Sequence, residues 1–314
     1  MQLNDRIGRR IKLQDLHMLM TVAQAGSMGK AARQMNTSQP NISKSIADLE
    51  HALGVRLLDR HRQGIEPTKF GRTLLDGGAI VFDELRQTVK NIEFLADPTA
   101  GEVRIGCNPA LGASFVSAVI DRLSQRYPRI KFHVLTAYAD QLHFELTERK
   151  LDFLIARRFG SIADERLGFE FLFDDTCVVA AGAHSPWARR RKIALAELVD
   201  EPWVLPPSGS GIISIAIEAF FGARGLKQPR TAVVTDSVQL RMNLLGTGRF
   251  LTIFTTSALK FSTQRLELKV LPIELPTARF PNGIVTVKNR TLSPVAQLFI
   301  DTAREVAKSL AKRA

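Results

Sequence analysis

Cysteine is nearly missing from this chain of 314 residues: only Cys107 and Cys177 occur, 70 positions apart. Neither has a second Cys or a His at metal-ligand spacing, which argues against a structural zinc or any other metal. Two widely separated thiols read as small, partly buried residues, with a redox pair as the alternative. No apolar run approaches the roughly 18 residues needed to cross a membrane. The first residues, MQLNDRIGRRIKLQDL, contain no apolar segment of the signal-peptide type. The expected setting is therefore a reducing cytoplasm without membrane contact. Catalytic signatures are missing too: there is no G-x-S-x-G, no P-loop, no H-E-x-x-H and no G-x-G-x-x-G. The six histidines, His17, His51, His61, His133, His143 and His184, are scattered without metal spacing. The GTG at residues 246–248 is too short for a nucleotide site. The expectation is a protein that is not an enzyme and needs no cofactor.

What is present is an ordinary globular composition, 45% hydrophobic and 24% charged, which excludes long disorder and collagen-like repeats. The length allows two or three domains. A net charge of +12 favours an anionic partner without choosing between nucleic acid and an acidic surface. The first 70 residues carry 11 Lys and Arg against 6 Asp and Glu, so the basic excess is spread over the chain.

The stretch TSQPNISKSI, residues 37–46, has the marks of a helix start. Ser38 or Thr37 can cap free N–H groups, and Pro40 is tolerated in a first turn because the donor it lacks has no acceptor there. Ile42, Ile46 and Leu49 then recur on one face. The opposite face carries Gln39, Asn41, Ser43 and Lys44, whose groups suit base edges and phosphate, or simply solvent. Upstream, Leu13, Leu16, Leu19, Met20 and Ala23 predict a helix that Gly26 ends, and Ser27 caps a short second helix containing Ala31, Ala32 and Met35. Two short helices joined by a tight turn form a helix-turn-helix pattern. Downstream, Val55 to Leu58 and Ile65 flank a basic turn with Gly64 and predict a β-wing, on or beside which Arg60 and Arg62 sit.

The run AARQMNTSQPNISKSIADLEHALGVRLLDRHRQGIEPTKFGRTLL, within Leu13 to Leu75, resembles the winged helix-turn-helix of LysR-type transcriptional regulators. The resemblance implies dimers or tetramers of dimers that bind double-stranded promoter DNA, respond to a small effector, and have RNA polymerase as a further partner. Carried over by position, it implies DNA contacts from Ser38, Gln39, Pro40, Asn41, Ser43 and Lys44, supported by Arg33, Arg60 and Arg62. Pro40 stands where the family often has serine or proline.

Residues 71–97 read as a long helix capped by Thr68, with Leu74, Gly78, Val81, Leu85, Thr88, Ile92 and Leu95 as a heptad seam for a homodimer. An intramolecular helix packed on the wing is the alternative. ADPTAG at 96–101 ends it. Beyond, strand-like runs EVRIGC, IKFHVL, LDFLIA, TCVVAA, TAVVT, FLTIF, LELKVLPI and GIVTV alternate with helical stretches, an α/β pattern. This part resembles the family's effector-binding domain, a periplasmic-binding-protein-like fold. The implied division is a DNA-binding domain at 1–70, the linker at 71–97 and an effector domain at 98–314. Within that domain the first lobe takes about 101–172 and 275–314, and the second about 173–274. In such sheets ligands sit beyond the carboxyl ends of strands. That rule selects Asn108, Ala110, Thr136, Ser208, Gly209, Ser210 and Asp236. Asn108 serves the effector or orders its own loop, the Ser-Gly-Ser-Gly segment holds a ligand or is a plain capped turn, and Ala110 departs from the hydroxyl residue the family often has there. Arg157 and Arg158 favour an anion or sit in solvent. The competing class is a solute-binding or transport component of the same fold, against which the roughly 95-residue N-terminal module and the lack of a leader both argue.

Overall fold

The computed structural model describes residues 11–61, 64–158, 164–207, 212–260, 267–273 and 279–311. The chain divides into two units, Met1–Gln87 and Thr88–Ala314.

In the first unit, α1 (Leu13–Ala25), α2 (Met28–Gln34) and α3 (Gln39–Leu53) are followed by β1 (Leu58–His61) and β2 (Gly64–Pro67). Local chemistry sets the helix ends. Gly26 and Gly54 adopt left-handed φ of 67° and 73°, Ser27 Oγ accepts from Lys30 N, and Ser38 Oγ accepts from Asn41 N at 3.3 Å. Met18, Leu19, Val22, Ala31, Ala32, Ile42, Ile46 and Leu49 close one core. The α1 face is therefore rotated from the expected one: Leu13 is exposed, and Met18 and Val22 are buried in its place. The wing strand starts at Leu58 rather than Val55. The Glu50 carboxylate accepts from Leu57 N at 2.7 Å and from Leu58 N, so the preceding residues are docked onto α3 before the hairpin begins.

Thr68 joins wing to linker. Its Oγ1 donates to Arg56 O and accepts from Gly71 N at 3.1 Å, capping α4 (Lys69–Ala96). At 28 residues, α4 is about 42 Å long. The expected seam splits along it. Leu74 packs on the core of the first unit and Gly78 lies against Leu16, whereas Val81, Leu85, Ile92 and Leu95 are exposed, as are Ile80 and Val89.

The second unit holds two five-stranded sheets. The first, in the order β4-β3-β5-β12-β6, comprises β3 (Ala100–Cys107), β4 (Arg129–Thr136), β5 (Phe153–Arg157), β6 (Leu167–Asp175) and β12 (Phe280–Val287). The second, in the order β11-β7-β10-β8-β9, comprises β7 (Cys177–Gly182), β8 (Trp203–Leu205), β9 (Thr231–Val234), β10 (Leu251–Thr255) and β11 (Leu268–Val270). Between β3 and β4 run α5 (Pro109–Leu111), a π-helical turn (Gly112–Val116) and α6 (Ser117–Arg126). The remaining α-helices among the described residues are α7 (Ala139–Thr147), α8 (Ile212–Phe221), α9 (Val238–Gly246), α10 (Thr256–Lys260) and α11 (Pro294–Ala311).

Alternation along the strands gives each sheet two apolar faces. Phe153 and Ile155 of β5 join the core that holds Phe115, Phe173 and Phe299, while Leu154 belongs to the core of Leu142 and Leu146 on the other side. Neither β6 nor β8 is among the strand-like runs of the sequence. Because β6 stays in the first sheet to Asp175, the chain passes to the second sheet at Asp175–Cys177 rather than at 172/173. It is back in the first sheet at Phe280.

One substitution tests the junction of wing and linker. A Cβ on Gly71 would lie 2.0 Å from the Leu57 carbonyl oxygen, which already accepts from Thr68 N. Gly71→Ala is expected to destabilise the first unit by about 1–3 kcal/mol. Chemical denaturation would show this as an earlier first transition, with the transition of the second unit unmoved.

Candidate functional site

Two surfaces carry the candidate residues. On the first unit, Gln39, Pro40, Asn41 and Lys44 are exposed over the first two turns of α3, Ser38 caps it, and Ser43 is half-buried. Ile42, Ser45 and Ile46, between them, are buried. The Ser45 hydroxyl donates to Asp15 and thereby fixes α3 against α1. Asn41 Nδ2 donates to Thr37 Oγ1 at 2.9 Å, so one amide donor serves the helix start. Gln39 Oε1 lies 3.5 Å from where a Cβ on Gly29 would stand, in ordinary contact with α2. Arg33 near the end of α2 and Arg60 on β1 are exposed, and neither they nor Lys44 form an ion pair among the described residues. Arg62 lies outside the described residues.

On the second unit, the carboxyl ends of the strands converge. Asn108 caps α5, its Oδ1 accepting from Leu111 N at 2.9 Å, so of its two readings the structure shows the ordering of its own loop. The Ala110 carbonyl accepts from Ser114 Oγ at 2.6 Å. Gly112 brings this loop against the neighbouring strand, since a Cβ there would lie 3.0 Å from Thr136 Cγ2. Asp236, after β9, accepts from Tyr138 OH at 3.1 Å, a bond from the first lobe to the second. Tyr138 lies two residues beyond Thr136 and is not one of the residues that the strand-end rule selects. Burial and the Asp236 bond both raise its hydroxyl pKa. Ser208, Gly209 and Ser210 lie outside the described residues.

Three arginines with buried side chains were not legible as such; one of them, Arg290, lies 3.8 Å from Asp152 Oδ1. Arg157 is the last residue of β5, its side chain 6% exposed, and its Nη2 lies 3.5 Å from Asp175 Oδ2. Burial holds its guanidinium below the usual range, and Asp175 opposes that shift. Asp175 is itself bonded by Thr176 N, Ser257 N and Ser257 Oγ. Asn282, paired with Arg157 across β12 and β5, is fully buried. Arg158, by contrast, is exposed and stacks over Phe169. The third buried arginine is Arg241 on α9, 3% exposed. Its Nη1 donates to Ile253 O at 3.3 Å and its guanidinium lies over the Phe254 ring at 5.1 Å. Burial pushes its pKa down to about 10, against the pull of Asp236 and Tyr138. A cavity of about 550 Å³ beside the sheet crossings is lined by Phe171, Phe173, Asp175 and Ser257, with Lys260 and Lys308 on the helices around it.

Comparison with known proteins matches both units. Residues 13–72 match the family model described as bacterial regulatory helix-turn-helix protein, lysR family, and residues 96–308 match the LysR substrate binding domain. HTH-type transcriptional regulator GbpR of Azospirillum brasilense is 26% identical over 306 residues, covering 97% of this chain and 89% of its own length. A full-length OxyR structure from Pseudomonas aeruginosa superposes with a TM-score of 0.67 at 20% identity, covering 95% of this chain and 97% of that one. Full-length CbnR in complex with its target DNA superposes with a TM-score of 0.61 at 19% identity, covering 94% and 100%.

Both cysteines are free and buried, and burial pushes each thiol up to about 12. The thiolate is the reactive form, so neither thiol is expected to react readily at pH 8 in the folded protein. A disulfide reagent such as DTNB is expected to label no thiol per folded chain and both after denaturation. Rapid labelling of either in the native state would restore a redox reading.

Proposed function

The chain belongs to the LysR family of helix-turn-helix transcriptional regulators, and from that premise we propose how its residues divide the work. LysR-type regulators bind promoter DNA, bind small-molecule effectors and form oligomers; their family is one of regulators and not of enzymes. For this chain the reading is a cytoplasmic, non-catalytic regulator with α3 in the major groove. Gln39, Pro40, Asn41 and Ser43 face base edges, Ser38 and Lys44 meet the backbone at the helix start, and Arg33, Arg60 and Arg62 hold flanking phosphates. The observation that carries this is the two-sidedness of α3. Its apolar residues are consumed by the core, while the amides and the lysine of its first two turns stand in solvent without ionic partners.

The exposed stripe Val81, Leu85, Ile92 and Leu95 supports a two-fold dimer through α4, with further pairing to a tetramer. A dimer places two recognition helices on successive major-groove faces and requires a roughly palindromic operator. The effector site lies between the lobes, among Asn108, Ala110, Thr136, Ser208, Gly209, Ser210 and Asp236. Its occupation changes lobe geometry and, through the dimers, the spacing of the DNA-binding units and the contact with RNA polymerase. The domain boundaries that follow are 1–70, 71–97 and 98–314.

Base readers and phosphate holders respond differently to substitution. Gln39→Ala is expected to cost about 1–3 kcal/mol on the specific operator and to relax discrimination at one base pair. Arg60→Ala is expected to weaken binding to all sequences alike and to flatten the dependence of affinity on salt by about one unit of slope. Anisotropy titrations on matched operator and scrambled duplexes over a salt series separate the two. Unchanged affinity and unchanged preference in Gln39→Ala would remove α3 from the groove.

A further inference from the structure

Arg157, Arg241 and Arg290 of the second unit have buried side chains, and they differ in one respect that bears on what the cleft binds: Arg290 has the Asp152 carboxylate at 3.8 Å. Arg157 has a carboxylate, that of Asp175, at 3.5 Å. Arg241 is as deeply buried, yet among the described residues no carboxylate lies within ion-pairing distance of it. Its partners are one backbone carbonyl, Ile253 O, and the face of Phe254, and its Nε is buried without a hydrogen-bond acceptor. Asp236, just before the cap of α9, is exposed and already accepts from Tyr138. A guanidinium removed from water without a counter-charge is costly, and such groups in folded proteins are paired, coordinated or matched by a ligand.

Position then specifies the ligand. Arg241 sits in α9, four residues after its cap Ser237 and five after Asp236, directly behind the segment that follows β9. The segment that leads into α9 meets the first lobe, because Asp236 accepts from Tyr138 OH at 3.1 Å, so the start of α9 stands where the two lobes meet. Guanidinium forks match planar carboxylates with two parallel hydrogen bonds, and a site that excludes water strengthens them.

We infer that the effector is a small organic acid whose carboxylate is held by Arg241 between the lobes. This rests on the reading of the cleft as the effector site and names the chemical class that site takes. The acid supplies the counter-charge that the chain itself does not place there. It arrives beside Asp236, whose like charge opposes it. Neutralising Asp236 therefore strengthens binding, an effect that a merely structural arginine would not produce.

The test uses the full-length protein with lactate, malate and salicylate, each against its uncharged amide, at equal ionic strength. Melting temperature is followed across concentration, and the increment each compound adds is compared within each variant, so that differences in baseline stability drop out. At least one acid is expected to raise the melting temperature while its amide does not. Arg241→Gln should weaken that acid on the order of thirtyfold or more, as removal of one partner of a buried charge pair does. Asp236→Asn should strengthen it. Acids and amides that act alike, or an acid increment that survives Arg241→Gln, overturn the proposal. Should Arg241→Gln fail to fold, Asp236→Asn decides alone: an acid affinity that is unchanged or lower overturns it. Gel shifts on the operator separate this from the wider reading. Amides, and not acids, altering the DNA complex would leave the effector role standing and remove the acid. Acids that bind through Arg241 but leave the DNA complex unaltered would keep the site and remove the effector role.

Discussion

The carboxylate of Asp175 is the fixed point of the second unit. It ends the last strand of the first sheet that precedes the crossing, and two residues later the chain enters the second sheet. Its oxygens accept from Thr176 N, Ser257 N and Ser257 Oγ, and they face Arg157 at the end of β5. Two strands of the first sheet and the helix α10 thus meet on one buried charge, and the adjacent Thr176 and Thr256 hydroxyls bond to each other. A buried ion pair contributes little net stability against apolar residues of the same shape, but loss of one partner leaves an uncompensated charge and costs about 3–5 kcal/mol. The joint between the lobes is therefore tightly specified in position. On the proposed reading, relative motion of the lobes comes from bending in the backbone of the crossings while this node holds.

The first unit solves a different problem. Its excess of cations is small, 11 against 6 in the first 70 residues, so non-specific attraction to phosphate is weak for a single copy. What the unit does have is rigidity where it counts. Ser45 bonded to Asp15 fixes α3 on α1, Glu50 fixes the wing entry on α3, and Thr68 fixes the start of α4 on the same loop. On the proposed dimer the phosphate contacts double, and the second helix binds at the effective concentration set by the first. Modest charge per copy then becomes an advantage, because one unit alone dwells little on random sequence.

How much of this could be read from the sequence follows from the range of the forces involved. Helix starts and stops were legible because they are local: Ser27, Ser38, Thr68, Gly26 and Gly54 act within four residues of themselves. The face of α1 was misplaced because LQDLHMLMTVAQA is apolar nearly all round, and only packing against α2 and α3 selects Met18 and Val22 over Leu13. The strand β6 escaped because LGFEFLFDD lacks clean alternation and shifts register opposite Asn282 and Gly283. The strand β8 is three residues, WVL, with prolines on both sides. The ends of β3, β4 and β9 were anticipated as places, and Tyr138 and Asp236 do meet there. Asp175, Ser257, Asn282 and Arg241 had no signal, because each gains its meaning from partners far away in the chain. Arg241 in particular reads, within VQLRMNLLG, as one more solvated helix residue.

Magnitudes decide where a switch could draw its energy. The Tyr138–Asp236 bond links the lobes but is exposed, and a hydrogen bond in that setting contributes on the order of 1 kcal/mol. Turning a two-state population from 1:99 to 99:1 needs about 5.5 kcal/mol of differential affinity. The exposed bond can bias the lobe arrangement but cannot hold it alone. The larger share has to come from groups removed from water, where pairing an orphaned charge is worth several times more. In the second unit those groups cluster on the strand ends and on α9. On the proposed reading, the chemistry able to drive a transition therefore lies in these buried groups, and the exposed Tyr138–Asp236 bond supplies the smaller share.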